Sequence, residues 1–126
     1  MITMSSSSGQ GRLTTHVLDT MAGKPAGGVR VVLRRLAADG TEDIAEATTN
    51  PDGRCDRPLL EDQGMATGRY ELVFFVGDYF RAQGVDLPDP AFLDVVPVRF
   101  GLWDAGSHYH VPLLISPYGY STYRGG

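Results

Sequence analysis

The 126-residue sequence lacks several features that would place a protein in a class at once. It has a single cysteine, Cys55, which cannot form an internal disulfide, so nothing points to an oxidising compartment. Its 11 basic and 15 acidic residues give a formal net charge of -4 without a basic block, which disfavours nucleic acid and anionic membranes as partners. No stretch approaches the roughly 18 consecutive apolar residues of a membrane helix. We therefore expect a cytoplasmic protein with no membrane and no nucleic-acid partner.

The N-terminal segment also lacks a targeting signal. Its sequence, MITMSSSSGQG, has no charged start and no apolar stretch of the roughly 7 to 15 residues that a secretory signal needs. We predict a disordered leader over residues 1–11. The composition, with 42% hydrophobic and 21% charged residues, is typical of a globular protein. We predict that residues 12–126 form a single domain.

A hydrophobic period of two dominates the sequence after the leader. In RLTTHVLD, Leu13, Thr15 and Val17 share one face of a predicted strand, and GVRVVLRRL alternates in the same way. The Asp39-Gly40 pair that follows predicts an antiparallel hairpin with TEDIAEATTN. RYELVFFVG, FLDVVPVRFG, HYHVPLLIS and YGYSTYR predict further strands, and DYFRAQG predicts one short helix capped by Asp78. Seven to eight short strands with one helix predict an all-β fold, an antiparallel β-sandwich.

The three histidines lie on predicted strands, and alternation directs them away from the core. His108 and His110 are out of phase with Tyr109, and His16 is out of phase with the inward face of the first strand. Three interpretations remain open: exposed histidines without a role, the ligands of a three-histidine zinc site, or general acid–base groups. The alternation does not choose among them.

The segment NPDGR predicts a tight turn that delivers Arg54 at its exit. Arg54 is then either a solvated loop residue or a planar donor that holds a carbonyl-rich or anionic substrate. Cys55 follows it without a histidine beside it in sequence, so we interpret this cysteine as a packing residue rather than a nucleophile.

Several segments together resemble one known family. LTTHVLDT, GKPAGGVRVVL, TTNPDGR, GRYELVF and YHVPLLISPYGYSTYRG occur in the order found in the 5-hydroxyisourate hydrolases, the transthyretin-related proteins of urate breakdown. The resemblance runs from about Arg12 to Gly126. In that family the chain ends in Tyr-Arg-Gly-Ser, a signature that transthyretin itself lacks. The resemblance implies a transthyretin-like (prealbumin-like) β-sandwich.

The resemblance also implies catalytic residues. The family's two catalytic histidines and its arginine match His16, His110 and Arg54, which leaves His108 without an assigned role. His16 and His110 would position and deprotonate the water that attacks a ring carbonyl of 5-hydroxyisourate. Arg54 would hold the substrate's oxygens and stabilise developing negative charge. The implied product is 2-oxo-4-hydroxy-4-carboxy-5-ureidoimidazoline, and neither a metal nor another cofactor is required.

The C-terminal motif of the family matches the last residues of this chain. Tyr123 would orient the substrate ring, and Gly126 stands where the family usually has serine, so one hydroxyl contact would be missing without loss of activity. The substrate-binding residues that the resemblance implies are His16, Arg54, Tyr123, Arg124, Gly125 and Gly126.

The implied assembly is a homotetramer, a dimer of dimers with its active sites at the dimer–dimer interface. The main alternative is a non-enzymatic, transthyretin-like ligand-binding protein, and a zinc hydrolase is a third hypothesis. A channel lined by histidines and an arginine suits a small polar purine derivative better than a large apolar ligand.

Overall fold

The computed structural model of the protein describes residues 10–126, which form two β-sheets packed face to face. The predicted leader, residues 1–11, lies mostly outside the described residues; at its end Gly11 is buried. The elements are β1 (Arg12–Asp19), β2 (Lys24–Pro25), β3 (Arg30–Ala37), β4 (Gly40–Thr48), β5 (Leu60–Glu61), a 3-10 turn (Asp62–Gly64), β6 (Gly68–Phe74), α1 (Val76–Ala82), β7 (Val96–Leu102), β8 (His108–Ser116) and β9 (Gly119–Thr122).

The strand order confirms the predicted β-sandwich. One sheet has the order β2-β1-β8-β9, with β5 also paired to β1, and the other has the order β4-β3-β6-β7. The described pairs are antiparallel except β1 and β8, which run parallel. This parallel pair is a departure from the predicted antiparallel pattern. It sets the first strand of the domain directly beside the strand that carries two histidines.

The core lies where alternation predicts it. Each fully buried aliphatic side chain stabilises the fold by ~1.5–3 kcal/mol. Burial therefore strongly determines which side chains of each strand face inward. The buried residues of β1 and β8 on this inner face are Leu13, Thr15, Val17, Asp19, Tyr109, Val111, Leu113 and Ile115. Because these residues take the inner face, the alternate side chains of both strands project from the outer face of the sheet.

Two local predictions need correction. The helix begins at Val76 with Phe75 as its N-cap, so Asp78 lies in the first turn and does not cap it. Tertiary packing explains the earlier start, since the backbone N–H of Gly77 donates to the Asp94 carbonyl at 2.9 Å and a side chain at Gly77 would collide with that residue. The predicted hairpin forms, but Asp39 lies within the two-residue turn and Gly40 already begins β4. No helix within residues 10–126 is long and apolar enough to cross a bilayer.

Candidate active site

All three histidines lie on the outer face of β1 and β8. In the parallel register Thr14 lies opposite His110, and Arg12 lies opposite His108. The Thr14 hydroxyl oxygen is 2.7 Å from His110 Nδ1 and 2.9 Å from His108 Nε2. His16 follows Thr14 on the same face of β1 and is half-buried like His110, whereas His108 is exposed. The strand pairing therefore brings histidines from both ends of the sequence into one patch.

A turn places Arg54 beside His16. The side-chain oxygen of Asn50 accepts hydrogen bonds from the backbone N–H groups of Asp52 at 2.9 Å and Arg54 at 3.2 Å, which confirms the turn predicted for NPDGR. Gly53 has a φ of 77°, a conformation that favours glycine, and its carbonyl accepts a hydrogen bond from the β1 backbone at 2.8 Å. Arg54 then forms a single antiparallel bridge with His16. The turn is thus fixed directly on the strand that carries the histidine.

The same turn fixes the protonation pattern of His16. Its Nε2 lies 2.9 Å from the backbone carbonyl oxygen of Asp52. A carbonyl oxygen only accepts hydrogen bonds, so Nε2 must carry the proton. In the neutral ring Nδ1 is then unprotonated and free to accept a proton.

A cavity of about 340 Å³ opens over this patch, within the range of small-molecule sites. It is lined by three arginines and two histidines but by no acidic side chain. Its lining residues are Arg12, Thr14, Thr15, Arg54, Cys55, Arg57, His108, His110 and Gly126. Within residues 10–126 none of these arginines forms an ion pair, whereas the arginines at 30, 34, 81 and 99 do. The cavity is therefore a locally positive region on a chain of net charge -4.

The environment of His108 and His110 favours their neutral form. Burial, followed by the positive charge of Arg54 and the neighbouring histidines, lowers the pKa of His110 from its ordinary value. Burial, followed by the charges of Arg12 and Arg124, lowers the pKa of His108 in the same direction. Neutral imidazoles can accept protons near neutral pH, as a general base must.

Cys55 also lines the cavity, but its thiol is poorly suited to nucleophilic attack. Burial and the nearby Asp56 carboxylate raise the pKa of the Cys55 thiol, so the reactive thiolate is disfavoured. The predicted packing role of Cys55 is consistent with this environment.

The C-terminal tail continues the antiparallel register of β9 along β8. The backbone N–H of Gly125 donates to the His110 carbonyl at 2.7 Å, and these two residues form a bridge. A Cβ atom at Gly125 would lie 2.6 Å from His110 Cδ2, so the tail packs against the imidazole ring without room for a side chain. Gly126 then reaches the cavity lining. The structure thus brings Gly125 and Gly126 to the predicted site.

Tyr123 and Arg124 lie outside the lining of this cavity. The Arg124 guanidinium stands 5.2 Å from the ring centroid of Trp103 and 5.0 Å from that of Tyr109, and its Nη2 donates to the His108 carbonyl at 3.3 Å. Both tail residues line a second, more apolar cavity of about 240 Å³. Within this chain, Arg124 therefore contacts the rings of Trp103 and Tyr109 and the backbone of β8.

Three residues of the patch are absent from those predicted on the sequence. Thr14, Arg12 and Arg57 join it through strand pairing and loop placement. The alternation of β1 was the available signal, because it places Arg12 and Thr14 on the same face as His16. Within residues 10–126 no three histidine, cysteine, aspartate or glutamate side chains are grouped in a way that could hold a metal ion.

These features define a transthyretin-like β-sandwich with a polar site. Two sheets pack face to face, and the outer face of one of them carries a cavity lined by histidines and arginines. The sequence model of the HIUase/Transthyretin family matches residues 13–125, and the chain belongs to that family.

Known proteins resemble the chain over nearly its whole length. It is 66% identical over 115 residues to 5-hydroxyisourate hydrolase 2 of Rhizobium meliloti, a match that covers 91% of this chain and 96% of that protein. Among solved structures, the 5-hydroxyisourate hydrolase of Klebsiella pneumoniae matches with a TM-score of 0.76 and 34% identity, covering 92% of this chain and 94% of that one. Transthyretin from Sparus aurata matches with a TM-score of 0.80 and 30% identity, covering 90% and 96% respectively.

Proposed function

We propose that this protein hydrolyses 5-hydroxyisourate to 2-oxo-4-hydroxy-4-carboxy-5-ureidoimidazoline, a step of urate breakdown. The observation that carries the proposal is the convergence of His110 and Arg54 on one cavity, with His16 bridged to Arg54 at its side. The relative from Rhizobium meliloti, named for this activity, is 66% identical. A small polar substrate rich in carbonyl groups suits a cavity with several guanidinium groups and no acidic side chain.

The proposed reaction is the addition of water to a ring carbonyl. His16 and His110 position the water, and one of them takes a proton as the oxygen bonds to the carbonyl carbon. The tetrahedral intermediate then collapses with cleavage of the ring C–N bond, and the nitrogen receives a proton from the site. The ring opens, and the carbonyl carbon becomes a carboxyl group.

Arg54 is proposed to stabilise the negative charge that develops on the attacked oxygen. Its guanidinium has no competing carboxylate partner within residues 10–126, so its donors are free for the substrate. Tyr123, Arg124, Gly125 and Gly126 are proposed to complete the substrate site. Gly125 acts by packing on His110, and Gly126 acts at the cavity lining.

We also propose a homotetramer, a dimer of dimers, with the sites at the dimer–dimer interface. β9 is the last strand of its sheet, and both Tyr120 within it and Tyr118 just before it are exposed. A sheet edge with exposed aromatic residues is stabilised by pairing with a second copy. A single domain over residues 12–126 and a cytoplasmic location complete the proposal.

Turnover of freshly prepared 5-hydroxyisourate tests the function. Because this substrate also decays spontaneously, the measured quantity is acceleration above a protein-free control. We expect strong acceleration by the wild type and a loss of roughly 100-fold or more in His110→Asn, which removes a general acid–base group. Binding without acceleration would instead support the transthyretin-like carrier.

A further inference from the structure

We infer that the hydroxyl of Thr14 relays a proton between His110 and His108. The inference rests on the proposed function, because the proton concerned is the one that His110 takes from water and later returns to the leaving nitrogen. The observation behind it is a single hydroxyl set between two imidazole nitrogens, at 2.7 Å from His110 Nδ1 and 2.9 Å from His108 Nε2. It assigns a role to His108, which the family resemblance leaves without one.

The two contacts couple the protonation of the two rings. A threonine hydroxyl has one proton, so it can donate to only one of the two nitrogens, and the other nitrogen must then donate to Oγ1. Two arrangements satisfy both contacts. In the first, His110 Nδ1 carries a proton and Thr14 donates to His108 Nε2. In the second, His108 Nε2 carries a proton and Thr14 donates to His110 Nδ1.

These arrangements give His110 opposite chemistry at its second nitrogen. In the first arrangement a neutral His110 has an unprotonated Nε2, which is a base; in the second its Nε2 carries the proton and is an acid. No protein group within residues 10–126 is hydrogen-bonded to this Nε2, which leaves it free to act in the cavity. Hydrolysis needs a base for the water and then an acid for the leaving nitrogen.

The relay converts the first arrangement into the second and back again, and every proton in the cycle has a donor and an acceptor. As the water oxygen bonds to the carbonyl carbon, His110 Nε2 takes one of its protons and His110 Nδ1 passes its own to Thr14. Thr14 passes its hydroxyl proton to His108 Nε2, so the positive charge rests on His108 and the negative charge on the tetrahedral intermediate. When the C–N bond breaks, His110 Nε2 protonates the nitrogen, and the proton on His108 returns through Thr14 to His110 Nδ1.

The surrounding charges act on both transfers of this cycle. The charges that lower the pKa of these rings are cations or potential cations: Arg12 and Arg124 act on His108, and Arg54 and the histidines at 108 and 16 act on His110. Burial and these cations lower the pKa of both rings, which favours neutral rings before the reaction, the state from which the first arrangement starts. The same cations make protonated His108 a stronger acid, so they oppose the outward transfer and favour the return transfer. Because His108 is exposed and His110 is half-buried in the single chain, the relay leads from the more buried ring to the more exposed one.

Substitution of Thr14 tests the relay with the full protein. Thr14→Val removes the hydroxyl but keeps the shape, and we expect kcat to fall about tenfold with KM little changed, the equivalent of one lost hydrogen bond. Thr14→Ser restores a hydroxyl and should recover most of the rate. Thr20→Val is the matched control, because Thr20 Oγ1 donates to the Ile115 carbonyl at the far end of β8 and should leave turnover unchanged.

A double variant separates a relay from two independent effects. His108→Asn should also lower kcat about tenfold, well short of His110→Asn, and Thr14→Val/His108→Asn should be no slower than either single variant. Nitrogen NMR shifts of His110 give a readout that does not depend on turnover. We expect Thr14→Val to change the ratio of Nδ1- to Nε2-protonated His110, and Thr14→Ser to restore it.

Several outcomes would overturn the inference. Wild-type kcat in Thr14→Val, a Thr14→Ser variant as slow as Thr14→Val, or multiplicative losses in the double variant would each exclude a relay. An unchanged His110 tautomer ratio in Thr14→Val would exclude the hydrogen-bonded link itself, whatever the turnover. If the wild type does not accelerate hydrolysis at all, the proposed function fails and the relay fails with it.

Discussion

Gly125 allows the contact between the tail and His110 to be tested by adding one atom. A methyl group at Gly125 would stand 2.6 Å from His110 Cδ2, whereas carbon atoms in contact normally lie ~3.5–4.0 Å apart. Alanine at this position therefore requires about 1 Å of movement by the imidazole or by the tail. The backbone hydrogen bond from Gly125 to the His110 carbonyl, at 2.7 Å, resists the separation.

The expected effects on stability and on activity differ in size. If the tail lifts away, the fold loses one hydrogen bond, worth ~0.5–1.5 kcal/mol. If the ring moves instead, His110 shifts relative to Thr14 and the cavity, and a displacement of ~1 Å in a catalytic group costs on the order of 100-fold in rate. We expect Gly125→Ala to lose ~1 kcal/mol of unfolding free energy and up to about 100-fold in kcat/KM.

The assay combines turnover of 5-hydroxyisourate, corrected for spontaneous decay, with denaturant unfolding in the same buffer. Gly64→Ala is the control, since a Cβ atom at Gly64 meets no atom within 4 Å and this exposed turn is not part of the cavity. The control should keep both wild-type activity and wild-type stability. Full turnover by Gly125→Ala would refute the idea that the tail sets the position of His110.

Extensive chelation should leave the hydrolysis rate unchanged, and activity that zinc restores after chelation would support the three-histidine metal site instead. Arg54→Lys keeps the charge but loses the planar fork, so kcat/KM should fall by about tenfold or more, whereas wild-type kinetics would make Arg54 a solvated loop residue. Because the pKa of His110 lies below its ordinary 6.5, the acid limb of the pH–rate profile should have its midpoint below that value; a midpoint above it would contradict the assignment. Deletion of residues 123–126 should remove most hydrolysis and leave a tetramer in sedimentation, while Gly126→Ser should change the rate by no more than about tenfold.

The inner faces of the sandwich were predictable because burial enforces them. Along β8, Tyr109, Val111 and Leu113 alternate with polar or smaller outward residues, and a slip by one position would expose the whole set. The same alternation correctly directs the histidines outward. The turn at NPDGR was also predictable, because Asn50 closes it through local hydrogen bonds.

The contacts of Thr14 were not predictable, because they depend on which strands pair and in which direction. Thr14 and His110 are 96 residues apart, and alternation is the same in a parallel and an antiparallel pair. Only the observed parallel register sets the hydroxyl of Thr14 between His108 and His110. The helix start was likewise decided at long range, through the contact of Gly77 with Asp94.

The position of Arg124 follows from the same register. The pairing of Leu113 with Thr122 in β9 continues to that of His110 with Gly125, so Arg124 falls opposite Val111 and takes the phase of the inner face. At the edge of the sheet that phase directs the guanidinium onto Trp103, while Gly125 takes the phase of His110. A shift of the tail by one residue would set the arginine side chain against the imidazole ring, where a single Cβ atom does not fit. The order arginine then glycine is therefore required by the strand geometry of the site as much as by any contact with the substrate.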